Sequence, residues 1–327
     1  MVVDAQLGQF GDLLFESALG VYVLAMILHA VEHALLRRPT RAEESAREPV
    51  GAAVGGGSTG TADLTGTGAD SAPPPRSRAE RFGRMGVSLT VLGFGLHLAM
   101  LVVRGFAAGR VPWGNMYEFT AAICLVAVGA WLVVLHRRPE LRRLGVFVLL
   151  PVIILMFLGG TVLYTQTAPV VPALRSYWLA IHVSAAVIAS GILLLAGVSS
   201  VLYLLRAAHE STPSRLAWAA RLPGADVLDR VAYRATALAF PIWTFAVITG
   251  AIWAEAAWGR YWGWDPKETT ALVAWVVYAC YLHARSTAGW RGRRAAVINV
   301  VGFAVMVFNL FFVNLVVTGL HSYAGVG

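Results

Sequence analysis

The sequence predicts an all-α, polytopic integral membrane protein with about eight transmembrane helices and both termini outside. Three observations carry that expectation. Of 327 residues, 57% are hydrophobic and 13% charged, and the mean hydropathy is +0.66. Those proportions leave too few polar side chains to coat a soluble globule of this length. Apolar runs long enough to cross about 30 Å of hydrocarbon recur along the chain. Finally, the cations divide unequally between the two sets of loops. With the amino terminus outside, 21 of the 26 Lys and Arg residues fall inside, leaving Arg104, Arg110, Arg175, Arg260 and Lys267 outside. That bias fixes the orientation. It also explains the net charge of +8 without nucleic acid, since inner loops and anionic lipid account for it.

Residues 1–42 hold the first span, drawn at 15–36. It lacks a basic leading segment and a small-residue cleavage site, so it reads as a retained helix. His29 and His33 lie four residues apart near its inner end with Glu32 beside them, on one face. The pattern suits a structural polar stripe or a ligand pair. Residues 43–84 form an inner, disordered linker. They are rich in Gly, Ala, Thr, Ser and Pro, as in Gly55-Gly-Gly-Ser-Thr-Gly-Thr61, and cannot bury a core.

The membrane domain proper, 85–327, continues with spans at 86–105, 117–135, 145–164 and 178–205. His97 sits near the middle of the first of these. A polar ring at that depth either finds a partner in the bundle or serves a ligand or proton role. The inner stretch 206–234 is expected to hold an amphipathic surface helix. Spans at 235–254, 269–285 and 296–318 complete the set. His283 falls late in the seventh, flanked by Tyr281 and Arg285, as an inner-interface histidine or a ligand. Cys124 and Cys280 both lie inside spans, so no disulfide is expected. The chain has no C-x-x-C-H haem-attachment sequence, nucleotide-binding loop, H-E-x-x-H or G-x-S-x-G motif, which removes most soluble-enzyme chemistry.

Between the sixth and seventh spans, in the outer loop 253–268, stands Trp258-Gly-Arg-Tyr-Trp-Gly-Trp-Asp-Pro-Lys-Glu268. It is too polar to span and too aromatic for an ordinary solvated loop, because indoles prefer surfaces that are part apolar and part wet. It should lie flat at the membrane face and bind a large planar ligand. The loop Tyr164–Tyr177 and the tail after Leu320 are expected on the same face. His182 and His321 fall at outer helix ends on either side of this segment in the sequence. Facing imidazoles over an aromatic platform suit axial ligation of haem iron. Spacing alone leaves open that they are two unrelated interface histidines. Asp265, Lys267 and Glu268 suit a helix start as well as propionate contact, for which Lys267, Arg175 and Arg260 are the cations.

The aromatic segment resembles the tryptophan-rich WWD signature of the haem-handling proteins that build c-type cytochromes. Within them the chain resembles the CcsA (ResC) family, also labelled CcsB, a subunit of the System II cytochrome c synthetase. Leu174-Arg-Ser-Tyr-Trp-Leu-Ala-Ile-His-Val, Tyr278-Ala-Cys-Tyr-Leu-His-Ala-Arg, Asn314-Leu-Val-Val-Thr-Gly-Leu-His-Ser-Tyr-Ala and Gly109-Arg-Val-Pro-Trp-Gly-Asn-Met-Tyr-Glu-Phe resemble further family stretches, in order, over about residues 85–327. The resemblance implies a haem lyase subunit in a bacterial cytoplasmic membrane, holding haem b without a covalent bond. It implies a ResB/CcsB-type membrane partner, an apocytochrome c with C-x-x-C-H, and a thioredoxin-like thiol reductant. By it, His182 and His321 ligate an outer haem iron. His283 ligates an inner one, whose second ligand is attributed to the partner subunit, with His97 as a candidate. Trp258, Trp262, Trp264 and Asp265 shape the haem platform. The rival readings are a haem carrier that delivers to a chaperone and an unrelated multi-helix transporter.

Overall fold

The structure, a computed structural model, describes residues 4–35, 77–169, 175–212, 216–287, 289–317 and 319–321. Among them, eight long helices follow one another: α1 (Ala5–Leu35), α2 (Arg78–Ala108), α3 (Met116–Arg137), α4 (Gly145–Thr161), α5 (Tyr177–Ser211), α6 (Ala225–Trp258), α7 (Pro266–Ser286) and α8 (Arg293–Leu315). The chain is an all-α polytopic membrane protein. Seven helices, α4 taken with its leading 3-10 turn Pro139–Leu144, are long and apolar enough to cross a bilayer. The exception is α7, which occupies the expected seventh span. Lys267, Glu268, Thr269 and Thr270 at its start and His283 and Arg285 near its end leave its apolar stretch too short.

Two expectations about the connections change. The helix α2 starts at Arg78, where the Ser77 hydroxyl accepts the Glu80 N–H at 3.2 Å, so it takes in the last residues assigned to the linker. The rest of that linker, 43–76, lies outside the described residues. In 206–234 there is no separate surface helix among the described residues. Instead α5 runs on to Ser211, α6 begins at Ala225, and only the 3-10 turn Ala217–Arg221 lies between.

Successive helices alternate in direction, which gives the bundle two ends. One, the aromatic face, carries the 109–115, 162–169 and 259–265 connections and the turn after α8. The other, the arginine face, carries the described connections 138–144, 216–224 and 289–292. The seam between α1 and α2 runs the full height. Buried positions on α1, from Gly8 to Glu32, recur in alternating steps of three and four, and those on α2 do the same from Ala79 to Ala107. This is the knobs-into-holes spacing of paired helices, and its many Gly and Ala residues let the backbones approach closely. Polar side chains are set into it. His97 is fully buried with Nδ1 3.5 Å from the Tyr22 hydroxyl. His29 packs on Trp131 at 5.5 Å, seated against Gly86, where a Cβ would stand 3.0 Å from the ring. His33 packs instead on Phe147, and Glu32 pairs with Arg142 at 2.7 Å, so the two histidines meet different neighbours.

At the aromatic face a buried charge network fixes the loops. Arg104, wholly buried, donates to Asp12 (2.9 Å), to Glu118 (3.4 Å) and to the Thr165 carbonyl (2.8 Å). Glu118 also accepts from Arg110 at 2.7 Å and from the Gly114 N–H at 3.0 Å. The Asn115 side chain caps α3 through the Glu118 N–H. Loop 109–115 is thereby pinned to the bundle. The described part of the loop after α4 is held on α1 and on the 109–115 loop through Tyr164–Asp12 and Arg110–Ala168.

Candidate functional site

Three elements converge at the aromatic face: the start of α5, the end of α6, and the α6–α7 loop with the turn after α8. The helix α5 opens at Ser176, whose hydroxyl accepts the Trp178 N–H, and this places His182 on the second turn. The His182 ring lies against α6, its Nδ1 2.7 Å from the Ala246 carbonyl oxygen. Because a carbonyl can only accept, Nδ1 carries the proton and Nε2 the lone pair. Gly250 makes this seat possible, since a Cβ there would stand 2.7 Å from the ring.

The other histidine is held by the loop. Gly259, at φ 69°, ends α6 in the left-handed region. Asp265 then starts α7 with a capping box: its side chain accepts the Lys267 N–H, and Glu268 accepts the N–H groups of Asp265 and Gly263. The same Asp265 carboxylate gathers in the chain after α8. It accepts the Leu320 N–H at 2.7 Å and His321 Nδ1 at 2.8 Å. Burial works to raise the Asp265 pKa, but the bonds from His321, Leu320 and Lys267 outweigh it and hold the carboxyl at about 2.

Trp253, buried on the last turns of α6, joins the two histidines. Its ring lies parallel to His182 (centroids 6.1 Å apart, planes 9° apart) and edge-on to His321 at 5.9 Å. Trp258 packs on both Trp253 (4.8 Å) and His321 (5.2 Å). Together they wall a cavity of about 510 Å³ whose lining includes His182, His321, Trp253, Trp258, Trp262 and Lys267. Lys267 donates to Asn314 at 2.7 Å. Three further lining residues, Asn309, Trp113 and Trp243, each carry a buried side-chain polar atom with no hydrogen-bond partner.

The structure brings together His182, His321, Trp258 and Trp262. Trp264 stands apart from the cavity lining: it is 69% exposed, takes φ 58°, and packs edge-on against Trp262. Asp265 acts from behind His321 rather than on the lining. His97 lies in the α1–α2 seam and outside the lining. His283 is exposed on α7 near the arginine face, on one stripe with Val273, Val276 and Cys280. Arg260 reaches the Gly263 carbonyl rather than the cavity. Sequence reasoning missed Trp253, Gly250 and Asn309. The first two continue the buried face of α6 set by Ala239, Trp243 and Ala246, and Asn309 is a polar residue inside an apolar span.

Fold and site thus define a multi-pass helical membrane protein with an indole-walled cavity, flanked by two histidines, at one end of its bundle. The sequence profile of the Cytochrome C assembly protein family matches residues 113–321, and the chain belongs to that family. Its relatives include the cytochrome c biogenesis protein CcsA of Chlamydomonas reinhardtii, 38% identical over 73% of this chain and 67% of that protein. The CcsA proteins of Synechocystis sp. (34% identical; 69% of this chain and 83% of that protein) and Synechococcus elongatus (37%; 69% and 82%) are also similar. Among solved structures, Cytochrome c Heme Lyase CcmF shares the fold, with a TM-score of 0.56 at 18% identity. That likeness covers 95% of this chain and 47% of CcmF, so the chain spans about half the length of that structure. Membership gives the chain a role in cytochrome c biogenesis.

Proposed function

We propose that this chain holds haem b without a covalent bond in the aromatic-face cavity, between His182 and His321, and presents it for attachment to apocytochrome c. The observation that carries the reading is the pair of histidines on one indole-walled cavity, each with Nδ1 engaged by an oxygen acceptor. With Nδ1 of each ring so engaged, Nε2 is the atom that would ligate the iron. The Asp265 carboxylate behind His321 fixes that ring's orientation. The haem is the cargo. Its vinyl groups each take up one cysteine thiol of a C-x-x-C-H segment, sulfur bonding to one vinyl carbon and the thiol hydrogen to the other, with no net oxidation.

The chain's own part is positioning and exclusion of water. Indoles of Trp253, Trp258 and Trp262 supply flat apolar walls. Lys267 is the cavity-lining cation suited to a propionate. In this reading the loop is the WWD element of a System II synthetase and faces the outside of a bacterial cytoplasmic membrane. The chain works with a ResB/CcsB-type partner subunit and a thioredoxin-like reductant of the apocytochrome. His283, exposed on a helix too polar to face lipid comfortably, would ligate an inner haem together with a ligand from that partner. The packing of His97 on Tyr22 within the α1–α2 seam favours a structural role for it.

Co-expression with the partner and a C-x-x-C-H reporter tests the reading. Covalent haem on the reporter, lost in His182→Gly and His321→Gly and partly restored by added imidazole, supports it. Haem bound without attachment would point to a carrier. Unchanged haem content and attachment in both variants would refute the ligand pair.

A further inference from the structure

No residue of α1 or α2 lines the aromatic-face cavity, yet these two helices bury a charged side chain that is wired to it. Arg104 on α2, wholly buried, bonds Asp12 on α1 and Glu118 on α3. Glu118, equally buried, pairs in turn with Arg110, so charges of alternating sign run from α1 through α2 and α3 to the 109–115 loop. Stability is a poor explanation for such a chain. Desolvating ions costs about as much as their pairing returns, and apolar side chains of similar volume often fold as well or better.

What an apolar side chain cannot do is grip the backbone. Glu118 Oε2 accepts the Gly114 N–H at 3.0 Å while also taking Arg110 Nη1 at 2.7 Å, and the Glu118 N–H is in turn taken by the Asn115 side chain at 2.8 Å. These reciprocal bonds fasten the residues just before α3 to its first turn. Arg104 contacts only Oε1 and Arg110 both oxygens, which leaves Oε2 aimed at the loop. The fastened residues, Trp113, Gly114 and Asn115, line the same cavity as His182 and His321. We infer that Glu118 is a positioning residue of the haem cavity: its carboxylate sets the Trp113–Asn115 wall, and through it α1 and α2 act on a site they do not line. The inference rests on the haem reading above.

Two substitutions separate the grip from the charge. Glu118→Asp keeps a charge facing both arginines but withdraws the carboxylate by one methylene, out of reach of the Gly114 N–H. Glu118→Gln loses the charge, but its amide oxygen belongs at the Oε2 position, where the donors are nearest, so the grip persists. The full chain is purified in detergent and studied well below each variant's melting temperature. Without haem, hydrogen exchange of the 109–118 segment, read by mass spectrometry, should quicken in Glu118→Asp and stay slow in Glu118→Gln. In a haem titration Glu118→Asp should bind about tenfold more weakly, the worth of one lost aromatic contact. Glu118→Gln melts lower yet should bind haem as the unaltered chain does. If Glu118 served stability alone, the order would reverse, with the Gln variant the weaker binder.

Trp113→Ala supplies a second measurement that spares the network. It should weaken haem binding to a similar degree, and adding Glu118→Asp should cost nothing further, because both changes remove the same wall. Normal haem affinity in Trp113→Ala, additive losses in the double variant, or exchange indifferent to Glu118→Asp overturns the inference. The expected exchange pattern in a chain that takes up no haem would keep the grip on the wall and refute the haem reading instead.

Discussion

Asp265 carries three tasks with one carboxylate: it caps α7, anchors Leu320 and orients His321. Its pKa is lowered from 3.8 to about 2, so its stabilising contribution is complete above the unfolded value and disappears as pH falls through about 2. Tryptophan fluorescence from the Trp253–Trp258–His321 contacts should hold steady from neutral pH to about 4 and change below it. Asp265→Asn keeps an oxygen acceptor for His321 but removes its charge. Haem affinity should fall about 10–100-fold in a binding titration, as it does when a carboxylate behind a metal-bound imidazole is lost. Gly250→Ala tests the other ligand without touching it. A Cβ at 2.7 Å pushes the His182 ring off its carbonyl, and the absorption spectrum of the haem complex should lose its two-histidine signature. The motif spacing made both histidines visible in the sequence. Gly250 was not, because its importance comes from the α5–α6 packing distance, which no local pattern encodes.

Among the helices, the α1–α2 pair was the least legible from sequence. Its apolar content announced two spans, but the alternating three-and-four spacing that locks them together is written in small residues, which carry little hydropathy signal. Gly86→Leu should force His29 out of its seat and cost about 1–3 kcal/mol, read as a lower melting temperature in detergent. The Glu118 network predicts a larger loss. Glu118→Leu leaves the fully buried Arg104 without one of its two carboxylates and unpins Gly114, so destabilisation of about 3–5 kcal/mol is expected. Denaturant or thermal unfolding of the purified variants checks both. For α7 the sequence predicted the position well and the apolar character poorly, since the capping box and its His and Arg residues consume both ends of a 21-residue helix.

Across the whole molecule, alternation of the helices puts Arg104, Arg110, Arg175, Arg260 and Lys267 at the aromatic face and the other described cations at the opposite one. The positive-inside bias then predicts an orientation with the aromatic face outside. An alkaline-phosphatase fusion at Gly327 should be active and one within 43–80 inactive; the reverse pattern would invert the orientation and place the cavity on the cytoplasmic side. The two histidines also set an order of events during synthesis. His182 belongs to the fifth helix, whereas His321 follows the eighth and docks through Asp265, Trp253 and Trp258. Half of the ligand pair therefore leaves the ribosome after every described helix. On the proposed ligation, a nascent or prematurely terminated chain would build the indole walls without closing the coordination, so haem capture would be confined to molecules whose translation has passed the last span.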